Sequence, residues 1–278
     1  MTTRSSQLGA PSSFLHPFEF PATMCIHVDH RMDLVEIPSG QFARHPWESS
    51  RRDFFARLLV DNLAMGEIGS VLDAGAGDGW FLSELAPVLR SSVELTCWDL
   101  NYTISQIGEL EAQHPGGRFT AETPRGPFGL ALALDVIEHV EDDVGFLRGL
   151  VGCLRPRGWI LVSVPAWQQL YGPHDARLKH FRRYSPAQLT DAVRSADLDN
   201  VKQGGLFHGL LLARVATRAL EFATSKNETQ DLGTWNKPTW ITKVVHSALV
   251  VEGRISARAS DHGVALPGLS AWALCRKR

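Results

Sequence analysis

The sequence predicts an α/β protein, a doubly wound and mostly parallel seven-stranded sheet with helices on both faces. Three observations carry this. From Ser70 onward, apolar runs of strand length alternate with stretches of helical period. The first run ends in an acid and a turn with glycine at every second position, Asp73-Ala74-Gly75-Ala76-Gly77-Asp78-Gly79, before an amphipathic segment begins. The chain of 278 residues, 44% of them hydrophobic, is long enough to bury one large core with additions.

Residues 1–45 are rich in Ser, Pro and scattered aromatics without a sustained period. They read as an extended arm with a hairpin through Cys25–Val28 and Leu34–Ile37. Pro46 opens a helix. Trp47, Phe54, Phe55, Leu58, Leu59 and Leu63 form its apolar stripe, and Arg51, Arg52 and Arg57 lie off it. Strands are expected at 69–73, 93–98, 117–120, 130–135, 158–164, 200–206 and 270–276, and helices near 80–90, 102–113, 141–154 and 186–197. Residues 46–206 thus form the core.

The segment 207–265 breaks the rhythm. Leu210 to Ala223 is apolar except for a narrow stripe of Arg214, Thr217, Arg218 and Glu221, and Ile241, Val244, Val245, Ala248 and Leu249 mark a second amphipathic helix. It reads as a helical insertion capping the core. The polar stripe argues against a bilayer span. A homodimer contact, a substrate lid and a peripheral membrane surface are its other uses. Residues 266–278 return to complete the sheet.

Composition narrows the function. The net charge is −2 and no basic block occurs, so no nucleic-acid partner is expected. Four well-separated cysteines read as reduced and buried rather than metal-binding. With no apolar targeting segment, the expected location is the cytoplasm.

The glycine turn is a strand-to-helix junction that lets a ligand touch bare backbone. In the dinucleotide fingerprint a small residue falls where this chain has Trp80, so a nicotinamide-dependent oxidoreductase is the weaker alternative. No Gly-Lys-Ser/Thr follows, which excludes a P-loop. Asp73 and Asp78 suit a ligand with cationic groups better than a pyrophosphate. Asp99 ends the second strand, roughly 20 residues beyond the glycines, where a carboxylate can accept both hydroxyls of a ribose. The fourth strand is apolar up to Asp135, in Asp135-Val136-Ile137-Glu138-His139-Val140.

The D-x-G-x-G-x-G turn resembles the first motif of class I S-adenosylmethionine (SAM) dependent methyltransferases, and D-V-I-E-H-V is similar to a later segment of the small-molecule members. Leu154-Arg155-Pro156-Arg157-Gly158 resembles the family's L-x-P-G-G turn, with Arg157 where the pattern has glycine. The resemblance spans about residues 68–206. It implies the Rossmann-like methyltransferase fold, SAM as cofactor, S-adenosylhomocysteine as product and a small-molecule methyl acceptor. It implies cofactor contacts at Asp73, Ala74, Gly75, Ala76, Gly77, Asp99, Leu100, Asp135 and Val136. A SAM-binding interaction protein without turnover is the alternative from another class.

The stretch from Tyr171 to Tyr184 follows the fifth strand onto the same face. It resembles a D-x-x-L-x-H-x-R-R-Y loop of a bacterial subgroup active in natural-product, glycan or lipid pathways. His180, His174 and Tyr184 are the candidate catalytic residues, since imidazole titrates near working pH. His139, Tyr171, Asp175, Arg182 and Arg183 are the candidate substrate-binding residues, with the arginines suited to an acidic group. A salt-bridged wall is the bland reading of the same loop, and the sequence leaves these roles, and O- versus N-methylation, open. No metal site is expected, because His174, Asp175 and His180 have no glutamate or cysteine to complete them.

Overall fold

The computed structural model describes residues 44–89, 92–224, 235 and 237–278. The expected arm and hairpin, and Cys25, lie outside these residues. Seven strands form one sheet: β1 Ser70–Ala74, β2 Glu94–Trp98, β3 Gly117–Thr120, β4 Phe128–Leu134, β5 Leu154–Pro165, β6 Leu198–Leu206 and β7 Ser270–Lys277. Their order is β3-β2-β1-β4-β5-β7-β6. The first five run parallel, while β7 is antiparallel to both β5 and β6.

Alternating side chains divide the core between the two faces. Leu72, Ala131 and Ala133 face one layer with Phe146, Leu147 and Leu150 of α4 (Asp143–Cys153) and Leu189 and Val193 of α6 (Pro186–Ser195). Val71, Leu130, Leu132 and Trp272 face the other. There they meet Phe54, Phe55, Leu58 and Leu59 of α1 (Pro46–Asn62) and Leu82 and Leu85 of α2 (Trp80–Leu85). The expected stripe of the first helix is the buried one.

Helix limits follow local chemistry. Thr103 caps α3 (Ile104–Gln113) and Ser185 caps α6, each paired with a glutamine three residues on. Asp142 caps α4 by accepting from the Gly145 amide at 2.9 Å. The helix expected to 90 stops at Leu85, where Pro87 enters a 3-10 turn, Ala86–Val88. β5 starts at Leu154 rather than 158. Arg157 there takes φ 59°, a left-handed backbone that glycine adopts without strain.

Between β6 and β7 stand α7 (His208–Thr224) and α8 (Thr239–Asp261). α8 lies on α1 and β6: Gly253 lets Phe54 approach, Ser256 donates to the Gly205 carbonyl at 2.6 Å, and His246 Nε2 lies 3.0 Å from Asp53. Its outer face exposes Trp240, Val244, Val251 and Ile255. Among the described residues, no helix is long and apolar enough to cross a membrane.

Candidate functional site

The carboxyl ends of β1, β2 and β4 meet at the glycine turn. Gly75, Gly77 and Gly79 all have positive φ (70°, 55° and 69°), but for different reasons. A Cβ on Gly75 would lie 2.6 Å from Val136 Cγ2, and one on Gly79 2.6 Å from the Phe119 ring. A Cβ on Gly77 would meet nothing within 4 Å. Two glycines are therefore required by packing, and the middle one borders open space.

Hydrogen bonds fix the turn to β2. The Gly75 and Ala76 amides donate to the Trp98 carbonyl at 2.8 and 3.2 Å, and the Gly77 amide to Asp99 Oδ2 at 3.4 Å. Asp99 is buried and accepts from the Asn101 amide at 2.9 Å, and exposed Leu100 stands between them. Tyr102 closes the turn by donating to the Gly77 carbonyl at 2.6 Å. Asp73 is buried, and its carboxyl is pushed up to about 7, first by loss of water and then by Asp78 and Asp99. Ala74 has its methyl fully buried in the sheet, so only its backbone could meet a ligand.

At the end of β4, Asp135 adopts φ 56° and is pinned by its own amide, which donates to the Ser163 carbonyl at 2.8 Å. Ser163 Oγ donates to Asp135 Oδ1 at 3.1 Å, and Arg51 of α1 pairs with Oδ2. Arg44, just before α1, pairs with Asp78 and lies 4.6 Å over the Trp80 ring. Asp135 holds the Arg51 guanidinium charged against its loss of water, raising its pKa. These arginines were not among the expected site residues. Arg51 lies on α1 and Arg44 just before its N-cap residue His45, so the start of this helix brings both to the turn.

The loop after β5 folds into a short helix, α5 (Pro173–Arg177), that turns Asp175 inward. Asp175 Oδ1 lies 2.9 Å from His180 Nδ1 and accepts from Arg183 Nε at 2.7 Å, while Oδ2 accepts from the Gly172 amide at 2.9 Å. Burial alone would raise this carboxyl, but the bonds from His180 and Arg183 outweigh it and hold the pKa well below the usual range. Tyr171 donates to the His180 carbonyl at 2.8 Å, and the Phe181 amide to the Glu138 carbonyl at 2.7 Å. His180 is thereby brought against His139, ring centroids 4.6 Å apart and nearly perpendicular.

Five of the expected residues of this loop have partners or positions of their own. Tyr184 is buried and donates to Asp143 at 2.6 Å, its pKa raised by burial and by that carboxylate, which ties it to the start of α4. Arg182 pairs with Asp143 at 3.1 Å and donates to the Glu141 carbonyl, beside a cleft of about 320 Å³ shared with Gln188 and Asp191, lined by neither the glycine turn nor Asp135. Arg183 is spent on Asp175 and the Ala166 carbonyl, and Asp175 itself is enclosed by its partners. His174 is half-buried on α5, with burial lowering its pKa, and does not join the His139–His180 cluster. The glutamate that the sequence spacing lacked comes from elsewhere: ligand atoms of Glu138, His139 and His180 all lie within 4.8 Å of one another.

The family model described as a methyltransferase domain matches residues 43–203. An S-adenosylmethionine-dependent methyltransferase of Mycolicibacterium smegmatis is 28% identical over 156 residues, 53% of this chain and 59% of that protein, so the match spans well under two thirds of the relative. A ubiquinone biosynthesis O-methyltransferase of Paracidovorax citrulli is 24% identical over 66% of this chain and 90% of its own. The fold is shared with geranyl diphosphate C-methyltransferase from Streptomyces coelicolor A3(2), at 14% identity and a TM-score of 0.50, over 83% of this chain and 79% of that one.

Proposed function

The chain belongs to the methyltransferase domain family, and we propose that it transfers the methyl group of SAM to an oxygen of a small molecule in a bacterial biosynthetic pathway. The observation that carries the acceptor side is the His180–Asp175 pair, which leaves His180 Nε2 to deal with an acceptor hydroxyl. A neutral amine needs no such group.

The turn fits the donor. The open space at Gly77 admits a ligand against backbone, and Asp99 beside it accepts the ribose hydroxyls, with Leu100 along the adenine. Asp73 and Asp135 face the ammonium and sulfonium charges, and Arg51 takes the carboxylate of the amino-acid end. When bound, SAM supplies a methyl group already activated by its sulfonium. The chain's residues then act mainly by alignment, worth roughly 7–11 kcal/mol in ideal intramolecular models.

The test is calorimetric titration with SAM and with NADH, followed by assay of S-adenosylhomocysteine formation with phenols, hydroxy acids and amines. We expect SAM to bind, NADH not to, and hydroxyl acceptors to be methylated. Binding of NADH without SAM defeats the proposal, as does turnover confined to amines.

A further inference from the structure

We propose that Glu138, His139 and His180 form a binding site for one divalent cation of the zinc class, beside the methyl donor. This rests on the methyl-transfer reading above and deepens it.

Three features make the cluster a ligand set. Its donors are two imidazoles and one carboxylate, mutually within 4.8 Å, so modest side-chain adjustment brings all three onto one ion. Two imidazoles with one carboxylate and an open position is the donor set of catalytic zinc sites, and imidazole suits borderline divalent ions. The outer partners are present as well. His180 Nδ1 is held by Asp175 at 2.9 Å, which fixes the tautomer and leaves Nε2 with its lone pair. Asp175 is held in turn by Arg183 and the Gly172 amide.

The two halves of the site are tied together. Glu138 and His139 lie on a 3-10 turn, Ile137–His139, directly after Asp135. The Phe181 amide, next to His180, donates to the Glu138 carbonyl at 2.7 Å. A cation here lies at the same end of the sheet as the donor, and its open position is available to an acceptor oxygen. Coordination lowers the pKa of that hydroxyl, so His180 acts on it through the ion rather than by taking its proton, which leaves to solvent. The oxygen's electron pair then forms the new O–C bond. The C–S bond breaks, and its pair stays on sulfur as the neutral thioether.

The full chain, stripped with EDTA and dialysed, is titrated with Zn²⁺ by calorimetry and with Co²⁺ by visible absorption, and separately with SAM. We expect one Zn²⁺ per chain and an intense tetrahedral Co²⁺ spectrum. In His180→Ala and Glu138→Gln, Zn²⁺ affinity should fall at least about 100-fold while SAM affinity holds. In Asp175→Asn the fall should be about 10–100-fold. Absence of stoichiometric Zn²⁺ binding, a Co²⁺ spectrum like that of the aqueous ion, or unchanged Zn²⁺ affinity in both ligand variants overturns the site. The wild-type spectrum decides the matter even if a variant fails to fold. SAM binding without metal binding sinks this inference alone, and metal binding without SAM binding sinks the methyl-transfer reading alone.

Discussion

His180 Nδ1 lies 2.9 Å from a carboxylate oxygen of Asp175 that is also bound by Arg183. One buried acid thus orients an imidazole and neutralises a guanidinium. Asp175→Asn keeps the shape and removes the charge. We expect kcat to fall about 10–100-fold with SAM affinity unchanged, as for outer partners of histidine ligands. An unaltered kcat would show that the pair serves only the fold. The pH dependence has a definite sign. Because the folded pKa is depressed, Asp175 contributes stability above its unfolded value, about 3.9, and the contribution is lost as pH falls toward the folded value. Acid denaturation of the Asn variant should therefore lose part of its steepness.

The glycine turn separates packing from binding. Gly75→Ala brings a Cβ to 2.6 Å from Val136, at φ 70°, and should lower thermal stability. Gly77→Ala meets no neighbour, and its cost is the left-handed backbone alone, about 1–2 kcal/mol. We expect Gly77→Ala to remain folded by circular dichroism and to lose SAM binding. Retained SAM affinity would mean that the open space beside Gly77 is not used by the donor.

Asp73, pushed up to about 7 by burial, binds its proton more tightly when folded. Its contribution to stability is complete below the unfolded pKa, about 3.9, and is lost as pH rises through about 7. Asp73→Asn should accordingly flatten the decline in melting temperature between those values. A cationic ligand favours the ionised carboxylate, so SAM binding should tighten with pH up to about 7 and release protons. Calorimetry in buffers of different ionisation enthalpy measures that release. Its absence would place the ligand's charge away from Asp73.

Arg51 is expected to leave part of its bond with Asp135 when the donor's carboxylate arrives. Arg51→Gln should weaken SAM by about 10–100-fold, the loss of one charged hydrogen bond of about 1.5–3 kcal/mol. Homocysteine-truncated analogues that lack the carboxylate should bind both forms equally. If they discriminate as SAM does, Arg51 acts only through Asp135.

What the sequence revealed was local. Asp73 to Gly79 is a strand end, a turn and a helix start in one stretch, so residue order alone displays it. The two-faced core was legible because Leu130 and Leu132 alternate with Ala131 and Ala133. What it concealed was through-space. Glu138 meets His180 only because the Phe181 amide closes on the Glu138 carbonyl. Tyr184 follows Arg183 in the chain, yet its bridge to Ala166 and its bond to Asp143 carry it to the base of α4. Arg51 reached Asp135 across a helix–sheet contact that no run of residues encodes.

The place of β7 has a kinetic consequence. Among the described residues β6 sits at the edge of the sheet and its ladder partner is β7 alone, a strand synthesised only after both insertion helices. As the chain leaves the ribosome, β1 to β5 can zip together in order, while β6 and the helix packed on it wait for the strand that joins them to the rest. The sheet's far margin is therefore the last to close, and translation slowed before Ser270 would leave a bare strand edge open to stray pairing.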